Sequence, residues 1–308
     1  MQFDWVRTFV AVADHQSFSA AASALHCSQP RVSSHIRALE QSLHAQLLDR
    51  TQRPVELTDA GVAFLPHARA MLSEVDASRS SVGSVTGLQR GEVRLGSYPS
   101  ASAGFLPALL TSFAEEYPGI RVHLLELSSL ELEDALVEGR VELLLRPCRP
   151  PMSAPHVQSK LLWREPLVAV VPAGHPLLDA PRPLPVTALL DYPIIMNGRR
   201  LEGRGGSFET HATVQRAARP AHVAYEITQP QTLVSLVCGG HGVGITNLLG
   251  LQVSNTEGVR RIELADDRAV REVAMYWLPD RMRSYATRAL WDKIAGADVP
   301  AGAHPPST

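Results

Sequence analysis

Four apolar residues recur at helical spacing in one short segment, and this stripe constrains the fold of the chain more than any other feature. It consists of Val32, Ile36, Leu39 and Leu43. Such spacing predicts an amphipathic helix with one buried face. Ahead of it, Ser28 is placed to cap the helix, and Pro30 falls in the first turn, where its missing N–H is harmless. A shorter Ala-rich helix, capped by Ser17 or Ser19 and ending near Leu25, precedes the turn, so the segment predicts a helix-turn-helix.

Polar side chains lie off this stripe, beginning with Gln29 and Arg31. In a helix-turn-helix that reads DNA, the second helix enters the major groove, so polar and guanidinium groups must project from its first turns. We expect Gln29 to face adenine and Arg31 to face guanine, because these side chains match the edges of those bases. His35 can contact either bases or phosphates. The remaining polar residues are expected to hold phosphates: Ser33, Ser34 and Arg37.

Two short strand-like segments, residues 47–49 and 55–57, flank a polar turn and predict a wing. Arg50 and Arg53 of this wing can reach phosphates or a narrow minor groove. A solvated polar face is the alternative interpretation of the second helix, but the wing and the long helix that follows favour DNA binding. The predicted DNA-binding residues are Ser28, Gln29, Pro30, Arg31, Ser33, Ser34, His35, Arg37, Arg50 and Arg53.

A second seam runs from Leu57 to Val82, where apolar and small residues recur at alternating steps of four and three. This spacing is typical of a coiled coil, so the segment predicts a long helix that pairs with a partner helix, most simply that of a second copy. Gly83, Gly87 and Gly91 then predict a hinge.

Composition places few limits on function. The 308 residues suffice for two or three domains, and a formal net charge of −2 does not exclude DNA, because a few well-placed Arg residues can bind it. The three cysteines, Cys27, Cys148 and Cys238, are odd in number and widely spaced, which predicts neither a disulfide framework nor a metal or redox pair. We expect a cytoplasmic protein, since neither a signal peptide nor a membrane span is evident.

Past residue 91, β-rich runs alternate with amphipathic helices, which predicts parallel α/β layers. Gly240, Gly242 and Gly244 follow a helix and precede a strand, the reverse of a phosphate-binding loop, so they predict a tight turn rather than a dinucleotide site. The segment 297–308, rich in Ala, Gly and Pro, is expected to be disordered.

Taken in this order, the elements resemble the LysR-type transcriptional regulators over nearly the whole chain. The N-terminal landmarks are Phe9-Val10-Ala11-Val12-Ala13, Ser17-Phe18, Ala21-Ala22, Leu25, Ser28-Gln29-Pro30, Val32-Ser33, Ile36-Arg37, Leu39-Glu40, Leu47, Arg50 and Leu57-Thr58-Asp59-Ala60-Gly61. Less specific C-terminal landmarks are Leu106-Pro107, Phe113, Tyr117-Pro118, Leu136-Val137-Glu138-Gly139 and Gly240-His241-Gly242-Val243-Gly244-Ile245. His44 stands where the family commonly has Gly, but His can adopt a positive φ at modest cost.

The resemblance implies an α/β protein with an N-terminal winged helix-turn-helix domain (1–58), a linker and dimerisation helix with hinge (59–90), and a two-lobed effector domain like a periplasmic binding protein (91–296). Lobe I would span about 91–165 and 267–296, and lobe II about 166–266. It also implies a homodimer that assembles to a homotetramer on double-stranded DNA, contact with RNA polymerase, and a small-molecule effector in the cleft that shifts the assembly between two states.

Candidate effector contacts follow the ends of predicted strands. The expected set is Ser97, Tyr98, Ser100, Ser128, Ser129, Asn197, Arg199 and Thr246. Arg200, Arg204 and Asn247 lie close by, and the positive charges favour a carboxylate-bearing effector. The alternative is that these residues only cap helices and end strands.

Other classes of function have less support. An enzyme would need a nucleophile elbow, a metal set or a phosphate loop, and none is evident, so we expect neither catalysis, nor a cofactor, nor a metal. An architectural DNA-binding protein has no evident need for the α/β region, which argues against that class of function. A thiol sensor at Cys148 or Cys238 is a further alternative, and the lack of a resolving cysteine nearby in sequence argues against it.

Overall fold

The computed structural model describes residues 1–85, 90–198, 208–217 and 219–306. Gly87, Arg199, Arg200 and Arg204 lie outside these ranges. Within them, no helix is long and apolar enough to cross a membrane.

The N-terminal domain is a winged helix-turn-helix, as predicted. Its elements are α1 (Phe3–His15), α2 (Phe18–Ala24), α3 (Gln29–Leu43), and the antiparallel wing strands β1 (Leu48–Asp49) and β2 (Glu56–Leu57). Ser17 caps α2 by accepting a hydrogen bond from the backbone N–H of Ala20 at 3.3 Å. His44 ends α3 in the left-handed conformation with φ 52°, so it takes the role that glycine plays at many helix ends.

The long helix α4 (Asp59–Val85) follows the wing, but its first half already has a partner. Leu65 and Ala68 are buried in the core of the N-terminal domain, and the rings of Phe64 and Phe9 have centroids 5.4 Å apart. The expectation that the whole seam awaits a second copy is therefore wrong for these turns, since α1 covers them. Gly83 lies inside the helix rather than in a hinge.

Arg69 of α4 joins the N-terminal domain to the rest of the chain. Its buried guanidinium donates hydrogen bonds to the carboxylate of Asp14 and to the carbonyl oxygen of Glu138, the latter at 3.1 Å. Glu138 follows a helix of the C-terminal domain, so one side chain binds both domains.

We expect Arg69→Met to cost about 1 kcal/mol of unfolding free energy, because the partner carboxylates reach solvent and can be rehydrated. Urea denaturation measures this difference. Arg7→Met, which removes only an exposed pair with Asp4 at 3.9 Å, should stay within about 0.3 kcal/mol of the parent. Equal losses in the two variants would argue against a joining role for Arg69.

The first lobe of the C-terminal domain contains three strands that pair in parallel around a central β3. Its elements are β3 (Gly91–Ser97), α5 (Pro99–Gly104), α6 (Leu106–Glu116), β4 (Ile120–Glu126), α7 (Ser129–Val137) and β5 (Leu143–Pro147). The strand β6 (Gln158–Pro172) then leaves this lobe and enters the second one.

The second lobe continues the same sheet and returns the chain to the first lobe through β11. Its elements are β7 (Ile194–Asn197), α8 (Glu209–Arg216), β8 (Val223–Ile227), α9 (Pro230–Cys238), β9 (Val243–Asn247), α10 (Leu248–Gln252), β10 (Val259–Glu263), β11 (Val270–Trp277) and the closing helix α11 (Tyr285–Ala295). Short 3-10 turns lie at Pro176–Leu178, Val186–Asp191 and Pro279–Arg281.

The sheet is mixed, with strand order β4-β3-β5-β11-β6-β9-β7-β8, and β10 pairs with β6. The prediction of parallel layers holds within each lobe, where β3 and β7 have parallel neighbours. It is wrong for β6, β10 and β11, whose pairings are antiparallel. The crossing strands β6 and β11 run in opposite directions because one leaves the first lobe and the other returns to it.

The two crossing strands pass between separate hydrophobic cores. On β6, Trp163 belongs to the core of the first lobe and Leu167 to a core of the second. On β11, Val273 belongs to the first core, and Ala269, just before the strand, belongs to the second. Residues between these points, including Glu165 and Arg271, therefore lie where the lobes meet.

The segment after α11 is ordered through residue 306, so the prediction of a disordered tail is wrong. Arg164 and His304 exchange backbone hydrogen bonds of 2.8 and 2.7 Å, and Gln252 donates to the carbonyl oxygen of Ala301 at 3.1 Å. Pro300 is buried. The small residues suggested a flexible tail, but they allow close packing here, with Gly302 at φ 78° against Leu248.

Candidate nucleic-acid interface and interlobe cavity

Helix α3 has one buried and one exposed face. Val32, Ile36 and Leu39 are fully buried against the other helices of the domain. Residues 28–31, together with Ser34 and Arg37, are exposed, whereas Ser33 and His35 are half-buried. The side chains predicted to face DNA therefore lie mostly on the open face.

Three guanidinium groups on this surface have no internal partner. The side chains of Arg31, Arg37 and Arg53 are exposed and form neither an ion pair nor a hydrogen bond with any residue of the described ranges. A guanidinium group that is not engaged within the protein is available to phosphate oxygens or to the acceptors of guanine. This wing and helix together present a cationic surface.

Arg50 and His35 differ, because each is held inside the domain. Arg50 pairs with Glu40 at 2.7 Å and lies over the Phe18 ring, while the other oxygen of Glu40 accepts a hydrogen bond from the backbone N–H of Leu47. His35 Nδ1 lies 2.9 Å from the Thr8 hydroxyl. These contacts fix the wing and α1 to α3, so both residues have a structural role that sequence reasoning missed.

A cavity of about 600 Å³ opens between the two lobes. Of the predicted effector contacts, five line it: Tyr98, Ser100, Ser128, Ser129 and Asn197. Ser97, Thr246 and Asn247 are fully buried and do not line it, and Arg199 lies outside the described residues. Apolar lining comes from residues such as Leu127, Leu130 and Phe208.

Thr246 supports a lining residue instead of reaching the cavity. Its hydroxyl accepts a hydrogen bond from the side-chain amide of Asn197 at 3.4 Å, and Thr210 donates to the carbonyl oxygen of Asn197 at 2.7 Å. Asn197 is thereby fixed at the end of β7.

The N-terminus of α7 already holds a carboxylate. Ser128 and Glu131 form a capping box, in which Ser128 Oγ accepts from the Glu131 N–H at 3.4 Å and Glu131 Oε2 accepts from the Ser128 N–H at 3.0 Å. The hydrogen bonds from Ser128 lower the pKa of Glu131, so its carboxylate is ionised at neutral pH. The capping alternative for Ser128 is thus realised, although its hydroxyl can still donate.

A cluster of buried charges lies at the floor of the cavity, where β6, β11 and α8 meet. Arg271 lines the cavity and is only 7 % exposed, and its Nε lies 3.9 Å from a carboxylate oxygen of Glu209. Burial raises the pKa of both Glu165 and Glu209, and the charge of Arg271 opposes this rise. Burial acts to lower the pKa of Arg271, but the two carboxylates hold it above its ordinary value.

This cluster of buried charges was not predicted from the sequence, although the alternation of residues along the two crossing strands indicates it. Arg271 alternates with Val273 and Met275 along β11, and Glu165 alternates with Trp163 and Leu167 along β6. Because alternate residues of a strand share a face, both charges could have been assigned to the buried side.

None of the three cysteines lines the cavity. Burial raises the pKa of the Cys148 thiol, which disfavours the reactive thiolate. Cys238 lies 3.7 Å from the carbonyl oxygen of Glu257 on the surface of the second lobe.

Comparison with known proteins agrees with this architecture. Residues 3–62 match the model of the bacterial regulatory helix-turn-helix protein of the lysR family, and residues 86–297 match the LysR substrate binding domain. The uncharacterized HTH-type transcriptional regulator YnfL of Escherichia coli is 32% identical over 287 residues, which cover 92% of this chain and 94% of that protein.

Two solved structures share the fold over the full length. A full-length OxyR variant from Pseudomonas aeruginosa has a TM-score of 0.77 at 21% identity, and the match covers 100% of this chain and 99% of that one. Full-length CbnR in complex with its target DNA has a TM-score of 0.66 at 22% identity, and the match covers 96% of this chain and 99% of that one. The chain therefore belongs to the LysR family of DNA-binding transcriptional regulators, which carry an effector-binding domain and are not enzymes.

Proposed function

We propose that this regulator binds an interrupted inverted repeat in DNA and responds to a small carboxylate-bearing effector in the interlobe cavity. The three unpaired guanidinium groups on α3 and the wing carry the proposal, because they match the phosphates and bases of a major groove. CbnR, which has the same fold, was solved with its target DNA. We further propose that the chain acts in the cytoplasm and contacts RNA polymerase at its promoters.

Assembly to a dimer, and from dimers to a tetramer, is part of the proposal. The face of α4 away from α1 includes Val62, whose side chain is 59% exposed. Pairing of two α4 helices would cover such a residue and would set two α3 helices at half-sites a helical turn or its multiple apart.

Among the DNA contacts, we propose that Gln29 and Arg31 read bases, whereas Ser33, Ser34, Arg37 and Arg53 hold phosphates. Arg31→Ala is then expected to reduce binding to the operator by about 1–3 kcal/mol and to relax preference at one base pair. Arg37→Ala should weaken binding to all duplexes alike. It should also reduce the slope of log affinity against log salt concentration by about one, because one fewer counter-ion is released. Equal behaviour of the two variants across salt concentrations would contradict this division.

The operator can be found by sequencing the genomic fragments that the purified protein retains, followed by titration of the best fragment against random duplex. A dyad with half-sites on one face of the helix is expected. A monomeric protein with no preference for any fragment would overturn the proposal.

A further inference from the structure

Arg271 has a buried hydrogen-bond donor that the described residues leave unused. The side chain is 7 % exposed and lines the cavity. The Nε–H is buried without an acceptor, since the Glu209 carboxylate at 3.9 Å is too distant for a hydrogen bond. A buried N–H donor that meets no acceptor is unfavourable.

The neighbouring carboxylates balance the charge of Arg271 but are held in other contacts or lie too far away. Glu165 Oε2 accepts hydrogen bonds from the Asn247 side chain at 3.2 Å and from the Leu249 N–H at 2.9 Å. One oxygen of Glu165 and one of Glu209 are buried without a partner. The ring of Tyr98 lies 5.7 Å from the guanidinium carbon and covers one side of it.

We propose that Arg271 is the anchor for the carboxylate of the effector and that this effector is a monocarboxylate with an apolar body. This inference deepens the proposed function and rests on it. A carboxylate entering from the cavity can accept two parallel hydrogen bonds from the planar guanidinium group, one of them from the Nε–H that meets no acceptor among the described residues. The apolar body would pack against Leu127, Leu130 and Phe208.

A single negative charge follows from the other charges at the site. Glu165 and Glu209 lie behind Arg271, and Glu126 and Glu131 line the cavity wall. Among the described lining residues, Arg271 is the sole cation. A second carboxylate, or a phosphate with two charges, would meet these acidic groups, and the described lining residues offer no further cation to balance it, so this part of the cavity disfavours dianions.

The test uses the full-length protein and a panel of acetate, butyrate, benzoate and phenylacetate, each with its amide, and succinate as a dianion. Binding is followed by thermal shift and then by calorimetric titration. We expect at least one monocarboxylate to bind and its amide to bind about 30-fold more weakly. Succinate should bind more weakly than butyrate.

Arg271→Gln is expected to lower the affinity for the preferred monocarboxylate by about 30-fold. Arg271→Lys should lower this affinity by about 10-fold, because Lys retains the charge but lacks the paired donors. Arg288→Gln, which removes an exposed Arg of α11, should bind like the parent. Should the Arg271 variants fail to fold, the comparison of acid and amide on the parent protein still decides the question.

The inference is overturned if amides bind the parent as tightly as their acids, if the folded Arg271→Gln protein keeps full affinity, or if no monocarboxylate of the panel binds. Operator binding by the parent without any ligand is measured in parallel. Loss of duplex preference would overturn the proposed regulator, whereas duplex binding with no response to carboxylates would overturn the Arg271 anchor alone.

Discussion

Replacing Gly61 by Ala is expected to destabilise the winged helix-turn-helix domain by about 3 kcal/mol and to abolish DNA binding. A Cβ at this position would overlap the carbonyl oxygen of Leu47 and lie 3.0 Å from its carbonyl carbon. That carbonyl also accepts a hydrogen bond from the Thr58 N–H at 3.1 Å, so it cannot turn away without losing this bond. The obstacle is backbone, and the start of α4 would have to move away from the wing.

The sign of this effect makes the test sharp, because Gly→Ala inside a helix ordinarily stabilises it by about 1 kcal/mol. Calorimetric unfolding and titration with duplex DNA measure the two consequences. Gly296→Ala is the matched control, since its new Cβ would meet nothing nearer than the Asp292 carbonyl oxygen at 3.3 Å. A Gly61→Ala protein with the parent's unfolding temperature would refute the argument.

The N-terminal domain was predictable from sequence because its determinants are local. The stripe of Val32, Ile36 and Leu39 fixes the buried face of α3, and the Ser17 cap and the positive φ of His44 depend on adjacent residues. Packing of Phe64 and Ala68 against α1 was not predictable in this way. The seam of α4 is equally compatible with a partner helix and with its own domain, and only the tertiary fold decides between them.

The cavity was predictable only in part. Strand ends such as Ser100 and Asn197 line it, because the carboxyl ends of parallel strands meet at one edge. The sequence pointed to cations near residue 199 and not to Arg271, because Arg271 is distant in sequence and lies on a crossing strand. The approach of Arg271 to Glu209 depends on how helix α8 and strand β11 are placed in the tertiary fold, and no short-range pattern encodes it.

The double variant Glu165→Gln/Glu209→Gln, which removes both buried carboxylates, is expected to destabilise the C-terminal domain by about 3–5 kcal/mol. The reason is that the charge of Arg271 then stays buried without a counter-ion. Either substitution alone leaves one carboxylate to balance Arg271 and should have a much smaller effect. Since the two positions share one partner, the losses cannot be additive.

The dependence on pH separates this explanation from simple loss of packing. Burial raises the pKa of Glu209 above its ordinary value of 4.5, so the group binds a proton more tightly in the folded state. Its stabilising contribution is therefore complete below about pH 4.5 and is lost as pH rises through the folded-state pKa.

Glu209→Gln cannot titrate, so its unfolding free energy should improve relative to the parent between about pH 4.5 and about pH 7.5. Urea denaturation at both values measures this, with the exposed Glu263→Gln as the control that should show no such trend. A difference between Glu209→Gln and the parent that stays constant with pH would mean that the pKa of Glu209 is the same in the folded and unfolded states. A double variant as stable as the parent would mean that Arg271 needs no internal counter-ion.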